Sequence, residues 1–283
     1  MLVTISNEVL TVEISTLGAE IQSVKKNGKE FFWNGDPAVW SGRAPVLFPI
    51  CGGLRDDKYV FEGKEYSLEK HGYARNKEFE VISKENDTAS FLLKSCEEDL
   101  KKYPFENELK ITYTLVGSKV CVEYAVTNTG SGDMYFSIGA HEAYACPNGV
   151  SEYSVIFEKE EDFDSVIPNG NLLEYKTVNY GKNAHELQIK DEYFEIDALI
   201  FTNLKSRKAM LKNRVTGQVI SVEFDGADYF LIWTKPGAKY LCLEPWSGIP
   251  DYVDSDYDIT KKTGIIKAAK GETIIKKHSF EIE

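Results

Sequence analysis

Apolar and polar residues alternate with a period of two over most of this chain. Near the start, Leu10, Val12 and Ile14 alternate with Thr11, Glu13 and Ser15. The same pattern returns over residues 78–84, 89–96, 108–116, 119–128, 152–158, 218–224 and 229–234. Successive side chains of a strand point to opposite faces, so this period predicts antiparallel β-strands bounded by Gly, Asn, Asp and Lys. Gly117-Ser118 between two alternating runs predicts a tight hairpin. One short helix is expected over residues 97–103, with acids in its first turn, lysines late and Pro104 beyond its end. Residues 158–183 break the alternation and are expected to be an irregular insertion or a loop that covers a site. So many strands with so little helix to cover them imply two large sheets packed face to face, an all-β antiparallel sandwich with a concave face open to ligand. A closed barrel shares the period and is the competing architecture.

Composition narrows the picture. With 283 residues, 42% of them hydrophobic, and no linker, low-complexity tract or internal repeat, a single domain spanning 1–283 is expected. The chain carries 45 acidic against 33 basic residues, a net charge of −12, which argues against nucleic acid or an anionic membrane as partner and for a small ligand. The first fifteen residues lack the basic flank and apolar core of a signal peptide, and no run is long enough to span a bilayer. The five cysteines are scattered without a C-x-x-C pair, so neither a disulfide framework nor a thiolate zinc site is expected, and the compartment expected is the cytoplasm.

The stretch that promises chemistry is Leu241-Cys242-Leu243-Glu244-Pro245-Trp246. Tyr240 to Leu243 reads as a buried strand that Pro245 ends, leaving Glu244 at the sheet rim beside an indole. Partial burial there would raise the carboxylate's proton affinity toward neutrality, as suits a general base. Two of the four histidines lie in promising surroundings. His71 is followed by Gly72 and, four residues on, by Arg75; His141 ends a strand-like run in small residues, Gly139-Ala140. His185 and His278 read as solvated. Arg43 precedes an apolar, proline-bracketed run, and Asp197 interrupts an apolar run where its carboxylate must find donors. The acidic segment 251–258 lacks the glycine and distal glutamate of a calcium loop and reads as a solvated turn.

Taken in order, Leu17-Gly18-Ala19-Glu20, Pro45-Val46-Leu47-Phe48-Pro49, His71-Gly72-Tyr73-Ala74-Arg75, Gly139-Ala140-His141, Asp197-Ala198-Leu199-Ile200-Phe201 and Leu243-Glu244-Pro245-Trp246 resemble the motifs of the aldose 1-epimerase, or galactose mutarotase-like, family, in particular its LacX-like bacterial branch. The resemblance implies a large β-sandwich with an open sugar cleft. It implies Glu244 as general base, His141 as general acid, and His71 near the sugar ring oxygen, assisting proton transfer. Asp197 would hold ring hydroxyls and Arg43 would line the same cleft; Arg75 and Trp246 are further candidate substrate contacts on their own chemistry, a cation and an aromatic face. No metal or other cofactor is implied. Where the family usually reads Gly-Gly-His-Pro, this chain has Gly139-Ala140-His141-Glu142, and the added carboxylate is expected to raise the proton affinity of His141 if the two side chains approach.

The implied reaction interconverts the α and β anomers of an aldohexose. Its partner is therefore a small sugar, and the chain a monomer or homodimer. Trp33, Trp40, Tyr73 and Trp246 are candidates to stack on a hexose face. Arg43 and Arg75 are candidates to clamp a phosphate, which makes a hexose 6-phosphate the alternative substrate. A non-catalytic sugar-binding module of the same fold, and a metal site built from His71, His141, Asp197 and Glu244, are the rival readings.

Overall fold

A computed structural model describes residues 1–283. Two antiparallel sheets dominate it. The larger has nine strands in the order Ala184–Gln188, Tyr153–Glu161, Lys208–Asn213, Val219–Glu223, Thr273–Ile282, Lys119–Asn128, Asn107–Val116, Thr88–Lys94 and Glu80–Lys84. The smaller has six: Glu142–Ala145, Tyr240–Trp246, Tyr229–Trp233, Leu199–Phe201, Asp164–Asn169 and Leu172–Asn179. Both sheets have two free ends, so the architecture is a sandwich and not a closed barrel. A four-stranded sheet from the first thirty residues and two hairpin-sized sheets complete it.

The two large sheets meet through aromatic side chains that period-two alternation delivers to the inner faces. Phe157 of the nine-stranded sheet packs against Phe230 and Phe201 of the six-stranded one, at ring-centroid distances of 6.0 and 6.3 Å. Tyr144 meets Phe280 at 5.8 Å. Edge-on contacts of this kind add to the area each ring removes from water. The predicted hairpin is present, with Val116 paired to Lys119 around Gly117-Ser118. The helix is shorter than expected, a single turn at Glu97–Leu100 whose Asp99 carboxylate accepts the Cys96 backbone N–H.

Three expectations are corrected. Residues 158–183 do border a cleft, through Pro168 and residues 170–173, but they are not irregular: they contain the end of the Tyr153–Glu161 strand and the antiparallel pair Asp164–Asn169 and Leu172–Asn179. A register shift between Val166 and Pro168 and mostly exposed positions in the second strand hide the alternation. Pro245 does not end its strand, which runs on to Trp246. Ala140 N–H donates to the Pro245 carbonyl at 3.1 Å, but proline has no N–H to return. The Trp246 indole N–H takes the vacated place and donates to Ala140 O at 2.9 Å. His278 is not solvated; it is 7% exposed, and its Nε2 lies 2.7 Å from Glu142 Oε1, closing a bond between the two sheets.

Candidate active site

Strand alternation decides which residues meet. On Tyr240–Trp246, Leu241 and Leu243 join the main core while Cys242 and Glu244 face the opposite side. The Glu142↔Leu243 and Ala143↔Cys242 register then brings His141 opposite Glu244 on that outer face and sends Glu142 to the inner one. The approach on which Glu142 was expected to raise the proton affinity of His141 therefore does not occur, because consecutive residues of an extended chain point apart.

The outer face is the floor of a cleft of about 580 Å³, within the range of small-molecule sites. Glu244, His141, His71, Asp197, Arg75 and Trp246 all line it. Arg43 does not: its Nη1 donates to the Gln22 carbonyl at 2.5 Å, while its backbone N–H and that of Ala44 donate to the Glu20 carboxylate. Of the candidate stacking residues, Trp40 and Trp246 reach the cleft, whereas Trp33 packs on Tyr240 and Tyr73 lies in the core. Several lining residues escaped the sequence reading, Trp233 and Lys70 among them. Trp233 lies opposite Cys242 on the next strand, and Lys70 precedes His71 and pairs with Asp197 at 3.8 Å. The alternation of 229–234 carried the signal for Trp233; nothing local marked Lys70.

His71 is held by Gly52 through both its own backbone and its ring. It sits at φ 70°, a left-handed conformation uncommon outside glycine. Its N–H donates to Gly52 O at 2.8 Å, and Gly52 N–H returns a bond to His71 Nδ1 at 3.1 Å. Because Nδ1 accepts, the neutral ring carries its proton on Nε2, and His71 is a fixed donor. Burial, then the charge of a protonated His141 and the cations Lys70 and Arg75, holds its pKa well below the usual histidine value. Gly72 allows the turn: a Cβ there would stand 2.4 Å from the Phe48 carbonyl oxygen.

The centre of the floor is His141 and Glu244. His141 Nδ1 lies 3.4 Å from Glu244 Oε1, and neither atom has a hydrogen-bond partner within the protein. Trp40 lies over the imidazole at 5.1 Å between ring centroids, and Trp233 meets it edge-on at 5.4 Å. Gly139 is needed beside them, since a Cβ would stand 2.6 Å from the Trp246 indole. Burial pushes the His141 pKa down to about 3. It pushes that of Glu244 well above the carboxylate range, helped by the nearby charge of Asp197 and opposed by Lys70. Both shifts favour the uncharged forms, a carboxylic acid facing a neutral imidazole.

Arg75 lines the cleft without a carboxylate partner. Its Nη2 donates to the Lys70 carbonyl at 3.0 Å, and Glu78, three residues on, bonds Thr16 and the N-terminal ammonium instead. Burial lowers the Arg75 pKa, as for a cation taken partly out of water.

Comparison with known proteins fixes the family. The family model for aldose 1-epimerase matches residues 1–280. The chain belongs to the aldose 1-epimerase family. The plasmid LacX protein of Lactococcus lactis subsp. lactis is 32% identical, with all of this chain and 99% of that one covered. A galactose mutarotase related enzyme from Lactobacillus acidophilus superposes with a TM-score of 0.95 at 31% identity, covering 100% of this chain and 97% of that one. A galactose mutarotase-like protein from Lactobacillus casei superposes at 0.94 and 27% identity over the full length of both. The fold is thus the galactose mutarotase-like sandwich, and the cleft with its two imidazoles and one glutamate is its candidate active site.

Proposed function

We propose that this protein is an aldose 1-epimerase that interconverts the α and β anomers of an aldohexose by general acid and base catalysis. The observation that carries the reading is the buried His141–Glu244 pair, two proton-transfer groups 3.4 Å apart on the floor of a cleft large enough for a hexose. Ring opening removes the proton from the C1 hydroxyl, breaks the C1–O5 bond as the C1 carbonyl forms, and places a proton on O5. The aldehyde then rotates, and the same transfers run backwards to close the ring on its other face. The protein ends in the protonation state in which it began, so neither electrons nor a net proton are needed from elsewhere.

One proton shared by the pair is enough. In the free site it rests on Glu244, where burial favours the uncharged tautomer. Sugar hydroxyls that donate to the carboxylate favour the charged tautomer, moving that proton to His141 and creating base and acid together. His71, fixed as an Nε2–H donor, supports the ring oxygen as charge develops there. Trp40, Trp233 and Trp246 offer faces for the apolar sides of the ring, and Asp197 accepts from ring hydroxyls. Acid and base assistance each contribute about 10²–10⁴-fold, enough to accelerate a reaction that already proceeds in water. The expected site of action is the cytoplasm, where free aldoses are handled.

A second reading is favoured by Arg75, a cleft cation without a carboxylate partner in a protein of net charge −12. In that reading the sugar carries a phosphate, which the guanidinium holds bidentately. Polarimetry on glucose, galactose and glucose 6-phosphate tests both. Accelerated exchange of the free sugars, unchanged in Arg75→Ala, supports the first reading. A preference for the phosphorylated sugar, lost about tenfold or more in kcat/KM with Arg75→Ala, supports the second. No acceleration of any aldose removes the enzyme assignment.

A further inference from the structure

Cys242 lies two residues before Glu244 on the same face of its strand and is buried without lining the cleft itself. Its sulfur, a ring nitrogen of His141 and a Glu244 carboxylate oxygen lie within 4.8 Å of one another, and the nitrogen–oxygen contact resolved between the two side chains is His141 Nδ1 to Glu244 Oε1. His141 Nδ1 and Glu244 Oε1 are buried without any hydrogen-bond partner in the protein, which is costly for polar groups unless a ligand completes them. Their 3.4 Å separation is informative. Nitrogen and oxygen donors about 2.1 Å from a tetrahedral zinc ion stand about 3.4 Å apart, and a thiolate about 2.3 Å from the metal stands about 3.6 Å from either. The nitrogen–oxygen edge already has that length, and the sulfur needs to approach by at most about 1.2 Å.

We propose that His141, Cys242 and Glu244 form an inhibitory binding site for a thiophilic divalent cation, zinc or cadmium, which occupies the floor of the cleft and silences the acid/base pair. Imidazole, thiolate and carboxylate suit such an ion in donor type. One thiolate and one carboxylate cancel its two charges, so the filled site is neutral where burial penalises net charge. Glu244 and His141 both line the cleft, which gives the ion a way in from solvent. Binding converts the Cys242 thiol to a metal thiolate with loss of one proton, and displaces the proton shared by His141 and Glu244. Two protons leave for each ion bound, so affinity rises up to about 100-fold per pH unit. Capture of the carboxylate and imidazole lone pairs removes the groups that the anomerisation needs. The binding step stands independently of that reaction; only the inhibition rests on the proposed function.

Cadmium titration followed by its ultraviolet thiolate charge-transfer absorption tests the binding, in a Cys96→Ser, Cys121→Ser background that removes the two cysteines nearer solvent. One saturable equivalent per chain is expected, tightening as pH rises, with the absorption lost in Cys242→Ala and the affinity lowered at least tenfold in His141→Asn. Circular dichroism shows whether each variant is folded, and if Cys242→Ala is not, Cys242→Ser and His141→Asn decide alone. Zinc is expected to inhibit anomer exchange, and the ratio of rates with and without zinc in Cys242→Ala should approach one. Unchanged cadmium absorption and affinity in the folded Cys242 variants would overturn the site. Stoichiometric cadmium binding without loss of anomer exchange would overturn the inhibition alone, and a chain inactive on every sugar but binding cadmium as described would leave the site standing.

Discussion

The Glu142–Ala145 strand and the residue just before it supply two histidine–glutamate pairs of opposite character. His141 faces the cleft and meets Glu244 at 3.4 Å, with no hydrogen bond completed on either of the facing atoms. Glu142, the next residue, faces the space between the sheets and meets His278 at 2.7 Å in a completed hydrogen bond. Both pairs are buried, and both join residues more than a hundred positions apart. What separates them is access: one borders a cavity that can deliver a substrate, and the other is enclosed by packed side chains. A buried polar pair next to a cavity is poised for chemistry, whereas the same pair between sheets serves to fix their register and spacing.

The sharpest way to break this contrast is to neutralise the two glutamates in turn. Glu244→Gln is expected to lower the rate of anomer exchange by about 10²–10⁴-fold while leaving the folded state intact, read by polarimetry and thermal melting. Glu142→Gln should keep the rate of the folded fraction. A large rate loss in Glu142→Gln, or none in Glu244→Gln, would erase the distinction.

Stability should show the mirror image. His278→Ala strands the Glu142 carboxyl between the sheets and is expected to cost about 3–5 kcal/mol in denaturant unfolding, while the paired replacement Glu142→Leu with His278→Leu should recover most of it. A loss below about 1 kcal/mol in the single variant would mean that water reaches the pair.

Acid titration separates the regions more finely. Burial depresses the pKa of His71 and of His141, so each folded imidazole binds fewer protons than its unfolded counterpart below the ordinary histidine value. The stability tied to each is fully present above about pH 6.5 and is lost as pH falls below it, at a rate approaching 1.4 kcal/mol per pH unit per group. Glu244 acts in the opposite sense, since its raised pKa gives stability that is lost as pH climbs above the carboxylate range. His71→Gln should therefore flatten the acid-side slope between about pH 6 and pH 5 by up to about 1.4 kcal/mol per unit relative to the unaltered protein. An unchanged slope would show that His71 takes up its proton in the folded state.

The smallest effect concerns the strand that carries Glu244. Trp246→Phe keeps a ring in the cleft but removes the indole donor that stands in for the N–H missing at Pro245, and should cost about 1–2 kcal/mol with the Ala140 carbonyl left unpaired. No measurable change would mean that this carbonyl finds another donor.

Much of this was legible in one dimension. Alternation over residues such as 107–128 determined the strands and the hairpin, because a two-residue period on a half-buried surface has one solution. The motifs around His71, His141 and Glu244 determined the family, since each needs particular small or rigid neighbours: Gly72 for the turn, Gly139 for the indole. Tertiary structure decided the rest. Whether Arg43 turned to the cleft or to Gln22, whether His278 met solvent or Glu142, and whether Pro245 ended a strand or was bridged by an indole depended on groups distant along the chain. Periodicity assigns a side chain to a face of its own strand, but what lies across from that face is set by how the sheets stack, and that is a property of contacts no local pattern encodes.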